Sequence, residues 1–137
     1  MSIGHLHVLL LHFPIALALA AALTDLLWAW RRKDFFRHAG FYCLLLAALS
    51  AIPTVIAGDQ HFDDQHFTPG AEPATAIIHA RLGFITLGVV LAAALTRTVR
   101  ENRPRGAWLA LYIALIAGSA AMVTVTAFWG GKLTWPS

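Results

Sequence analysis

Four apolar stretches, at 8–30, 39–57, 76–96 and 107–129, take up most of the 137-residue chain. Each is close to the roughly 20 residues that a helix needs to cross the hydrocarbon core of a bilayer. All four are rich in Leu, Ala, Ile and Val, and a segment placed in lipid must satisfy its backbone polar groups internally, which a helix does. The chain is 58% hydrophobic and 12% charged, too apolar for a soluble domain of this size. The expected fold is therefore an all-α integral membrane four-helix bundle, a single domain over 1–137 built from two tandem helical hairpins, with an outer loop at 58–75. The first span has no basic residue ahead of it and is too long for the apolar region of a signal peptide, so it is expected to stay attached. Cys43 is the one cysteine and lies within the second span, which leaves packing as its role.

Charge orients the bundle. Arg31, Arg32, Lys33 and Arg37 join the first two spans, and Arg97, Arg100, Arg103 and Arg105 join the last two. By the positive-inside rule both loops face the cytoplasm, with the termini and the central loop outside, as in a multi-pass protein of a bacterial inner membrane. The excess of cations is thus a topology signal, and a nucleic-acid partner is not needed to explain it. Trp28, Trp30, Trp108, Trp129 and Trp135 lie near span ends, as in an aromatic belt. On the fourth span Ala110, Ala114 and Gly118 form a small-residue stripe that signals close helix contact.

Two histidines enter the apolar runs near their outer starts. His12 begins HFPIALALAAAL and His79 begins HARLGFITLGVVLAAAL, and the two hairpins finish at Gly58 and at Gly130-Gly131. This weak repeat, with an axis along the membrane normal, makes His12 and His79 equivalent and sets them at one depth on diagonal helices. A flat cofactor between two axial imidazoles suits that gap, and haem b is the first expectation. Gly83 and Thr86 follow His79 at i+4 and i+7 and would leave room for a porphyrin, or else they serve helix packing. Arg81 would meet a propionate, or else Asp59, Asp63 or Asp64. His5 and His7 are read as belonging to the wet outer edge. Asp59, His61, Asp63, Asp64 and His66, with His7 as a secondary ligand, offer an alternative site for a divalent metal ion. Asp25 is the one acid deep in a span; pairing with Arg31, Arg32 or the second hairpin accounts for it, with a proton path as the functional alternative.

The residues His7, His12, Phe13 and Pro14, then Gly58 and Asp59, then His79, then Gly130 and Gly131 resemble the pattern of a bacterial membrane-protein family, domain of unknown function 2231. The resemblance covers nearly the whole chain and departs from the pattern at Val8, where the family usually has proline. It implies a four-helix membrane protein, singles out His7, His12 and His79, and associates the chain with respiratory or cytochrome-related systems. Together these features lead to the expectation of a small membrane cytochrome. Its non-covalent b-type haem would lie between helices 1 and 3, for electron transfer linked to quinol and a periplasmic redox partner. The other two readings are a divalent metal-ion binding protein and a structural subunit of a larger complex. No acid, base or nucleophile is placed as a stand-alone enzyme requires, and at this size a homo-oligomer or a larger assembly in the lipid bilayer is expected.

Overall fold

A computed structural model describes residues 3–63 and 73–134. Asp64 and His66 lie outside the described residues. The chain forms four helices, α1 (Ile3–Arg31), α2 (Asp34–Asp63), α3 (Pro73–Val99) and α4 (Ala107–Thr134). All four are long and apolar enough to cross a membrane. Helix α1 packs mainly on α2 and α3 mainly on α4; α2 touches α3 and α1 touches α4, so α1 and α3 lie across a diagonal. The elements match the expected spans but overrun them. Hydropathy marks only the lipid-matched middle of a helix, whereas α2 continues through Gly58 and Asp59 to Asp63, residues expected in the loop. Nothing between Gly58 and Asp63 breaks a helix, since the first proline beyond Pro53 is Pro69.

Small side chains sit inside and large ones outside. The core is built from Ala18, Ala21, Leu44, Ala47, Ala48, Val90, Ala93, Ala94, Tyr112, Ile116 and Val123. Leu9, Phe13, Leu23, Leu26, Leu49, Leu95 and Phe128 are exposed on the rim. In lipid no hydrophobic force drives helices together, so close contact of small residues carries the packing and the large residues face acyl chains. The expected stripe on α4 is only partly in contact. Ala110 and Ala114 are exposed, while Gly118 lies half-buried near Val89. The face that enters the core is Tyr112, Ile116, Ser119 and Val123.

The internal repeat is real in register but not in the register expected. A shift of 72 residues superposes His7 on His79, Thr54 on Thr126 and Gly58 on Gly130, and it lays LAAALT of 19–24 on LAAALT of 91–96. In that register His12 is the counterpart of Phe84, not of His79. His12 shares with His79 only its residue type and its nearness to a span start, whereas the identical six-residue block lower down fixes the register.

Candidate functional site: two polar layers across the diagonal

Each half of the chain holds its histidine in the same way. His7 Nδ1 lies 2.8 Å from the Thr54 carbonyl oxygen, 47 residues on. His79 Nδ1 lies 3.0 Å from the Thr126 carbonyl oxygen, also 47 residues on. A carbonyl can only accept, so both Nδ1 atoms carry the proton and donate. In the neutral ring this leaves the Nε2 lone pair available, the tautomer that binds metals.

The glycines explain how two rings reach two backbones. A Cβ on Gly58 would stand 2.7 Å from His7 Cε1 and 2.9 Å from its Nδ1. On Gly130 it would stand 2.9 Å from His79 Cε1. Each imidazole therefore rests on bare backbone one turn beyond the carbonyl it bonds. Across the diagonal the two rings come together, with centroids 6.4 Å apart and planes at 78°.

The structure thus pairs His79 with His7 and turns His12 away. His12 is exposed and its Nδ1 bonds the Val8 carbonyl of its own helix at 3.0 Å, as a side chain on the outer face of the bundle does. His7, expected at the wet outer edge, lies within the helix because α1 starts at Ile3, on the face that meets α2. Around His79, Arg81 is exposed and Gly83 faces open space, with nothing within 4 Å of the position a Cβ would take. Thr86 donates to the Leu82 carbonyl and meets the Thr126 hydroxyl at 2.8 Å, a second tie across the α3–α4 seam. Asp59 is exposed and His61 half-buried near the end of α2. Among the described residues no three His, Cys, Asp or Glu side chains gather as a metal site.

At the opposite end of the bundle lies a second layer. Arg97 is 1% exposed. Its Nη1 donates to both Asp25 oxygens, at 2.6 and 2.7 Å, and lies 2.6 Å from the Tyr112 hydroxyl. Its Nη2 donates to the Arg37 carbonyl and its Nε to Asn102 Oδ1, both at 2.6 Å. The Tyr112 hydroxyl in turn donates to Asp25 Oδ2. One guanidinium so ties α1, α2, α3, α4 and the α3–α4 loop together, the rigid multi-donor fork that suits arginine to buried pairing. Gly40 makes room, because a Cβ there would run into Asp25 Oδ1 and stand 2.9 Å from Thr24 Oγ1. Asp25 therefore pairs with the second hairpin, one of the alternatives open from the sequence.

Nothing in hydropathy or motif spacing points to Arg97, Tyr112, Asn102, Thr54 or Thr126 as members of these layers. In the sequence Arg97 reads as one more cation of the basic loop. The signal that would have found it is the 72-residue register, which sets Arg97 on Asp25 and Tyr112 on Gly40. The two halves are complementary there rather than alike.

The sequence profile described as predicted membrane protein (DUF2231) matches residues 4–137. The chain belongs to the DUF2231 family. No curated protein and no solved structure matches it. The family match spans both hairpins and so takes in both polar layers of this DUF2231 chain, the histidine pair and the Asp25–Arg97–Tyr112 network.

Proposed function

We propose that this membrane protein is a small electron carrier whose b-type haem is held by His7 and His79. The observation that carries the reading is the anchoring of both imidazoles through Nδ1 to equivalent carbonyls, which leaves two Nε2 atoms on facing helices as ligands. A backbone acceptor on the far nitrogen is the usual support for a metal-binding histidine, orienting the ring and raising its basicity. Haem iron asks only two ligands of the protein, whereas a structural zinc site asks four. The paired rings fit the first demand.

The surroundings also suit a flat group. The buried residues of α1 from Pro14 onward, and of α3 from Val90 onward, lie toward the arginine end. Between His79 and Val90, α3 has no buried side chain, and Gly83 there faces open space. Bound haem would supply a one-electron couple, and the residues of this chain would orient and space its axial ligands. A quinol donor and an acceptor on the outer side of a bacterial inner membrane follow from this reading and from the basic loops at the opposite end.

The test is the visible spectrum of protein purified in detergent after expression with a haem precursor, oxidised and then dithionite-reduced. Sharp Soret and α bands are expected in wild type and in His12→Ala. Both bands are expected to vanish in His7→Ala and in His79→Ala. A chromophore that survives both of those variants, or none in wild type, sinks the reading.

A further inference from the structure

The repeat provides an internal control for the arginine end. Where the halves match, they share structure; where they diverge, the divergence calls for a cause. Helix α1 runs to Arg31, but α3 stops at Val99, whose counterpart is Leu27, so α3 ends four residues sooner in the common register. Two local features stop it. Glu101 and Asn102 adopt left-handed backbone, with φ of 50° and 58°, and Pro104 disfavours helical backbone at Arg103 and has no N–H to donate.

The released loop borders a cavity of about 360 Å³ between itself and the first turns of α2. Its polar lining is Arg37, His38, Tyr42, Thr98, Glu101, Asn102 and Arg103. The equivalent positions on α4 and α1 are Leu109, Ala110, Ala114, Leu26, Ala29, Trp30 and Arg31, so six of these seven polar residues have apolar counterparts there. The pocket lies where the two hairpins meet, and the corresponding positions on α1 and α4 are almost all apolar.

We infer that this pocket binds the phosphate headgroup of an anionic phospholipid. Its position at the end of the spans is where headgroups lie. Arg103 and His38 are exposed, and the His38 ring is oriented by its Nδ1, 2.9 Å from the Asp34 carbonyl. The Tyr42 and Thr98 hydroxyls are further donors on the lining, although Thr98 also bonds the Ala94 carbonyl. Arg37 contributes less charge, because its guanidinium pairs with Asp34 at 3.0 Å, and Glu101 opposes an anion. The same two connections also carry the exposed Arg31, Arg32, Lys33, Arg100 and Arg105, an excess of cations of the kind that recruits anionic lipid. Phe41 lines the cavity and Tyr42 is 60% exposed, so the polar pocket opens beside apolar surface that acyl chains can cover. A soluble anion would use the donors but not that surface.

Native mass spectrometry of the detergent-purified chain, titrated with phosphatidylglycerol, phosphatidylcholine or inorganic phosphate, tests the inference. One phosphatidylglycerol per chain is expected to be retained at least about fivefold more strongly than phosphatidylcholine. The His38→Gln/Arg103→Gln double variant, altered only at exposed side chains, should lose that preference. Glu101→Gln should raise it, and Lys132→Gln, an exposed change at the opposite end of the bundle, should leave it unchanged. Equal retention of the two lipids, a preference that survives the double variant, or weaker retention in Glu101→Gln overturns the inference. Saturation by inorganic phosphate without lipid retention assigns the cavity to a free anion and overturns the lipid source.

Discussion

The two ends of the bundle solve the same problem in opposite ways. At the histidine end, equivalent residues of the two halves make equivalent bonds, each ring donating to its own hairpin and resting on its own glycine. At the arginine end, equivalent positions carry opposite charges, and Asp25 and Arg97 bond each other across the diagonal. The first layer holds each hairpin closed and leaves ring nitrogens to spare. The second layer joins the hairpins, and its charged donors and acceptors are consumed in doing so. A polar group buried in a membrane bundle is costly unless it is paired. The Arg97 layer is therefore the one that ties the hairpins to each other, and the histidine layer is the one on which the proposed ligand rests.

Substitutions can break that contrast, beginning with the largest effect. Arg97→Met strands the Asp25 carboxylate and removes the tie among four helices; it should lower stability by about 3–5 kcal/mol, read as a drop in thermal unfolding temperature in detergent. The Asp25→Leu/Arg97→Met double variant should recover part of that loss, because the stranded charge is gone. A double variant less stable than either single change would show that the pair itself, not the stranded charge, sets the cost.

Tyr112→Phe removes one hydroxyl that both accepts from Arg97 and donates to Asp25. Hydrogen bonds to charged groups are worth about 1.5–3 kcal/mol, and the same melting assay should show a loss in that range. At the histidine end, Gly58→Ala and Gly130→Ala each push a methyl against an imidazole, at about 1–2 kcal/mol of overpacking. The two costs should be similar, because each methyl meets an equivalent imidazole at a similar distance. A large inequality would mean that the halves are less alike than their geometry. Smallest of all, His12→Ala should change stability by under about 0.5 kcal/mol, the usual effect of an exposed substitution.

Much of this architecture was legible in the chain. Four uninterrupted apolar runs dictate four helices, and the basic loops at 31–37 and 97–105 pair them into hairpins. The site was less legible, for a physical reason. Hydropathy locates the lipid-matched part of a helix but not its start, so His7 seemed to fall outside α1 and His12 just inside it. The side chain that reaches the bundle interior is decided by helical phase against α2, and phase is weakly marked in a helix that is apolar on every side. Arg97 was obscured differently. A cation beside a span already has an explanation in the positive-inside rule, and only the packed structure shows that this one faces inward.

The charge exchange at positions 25 and 97 also bears on how the chain is made. Ribosomal synthesis delivers the first hairpin before the second, so Asp25 enters the membrane with its guanidinium partner still unmade. Until α3 arrives, the early half is an incomplete object, its carboxylate seated against Gly40 near the end of the span without a cation to meet it. Neither hairpin can substitute for the other, because two first halves would bring together two acids and two second halves two arginines. A gene cut between the helix pairs would thus have to supply both pieces, in equal amounts, to the same patch of bilayer.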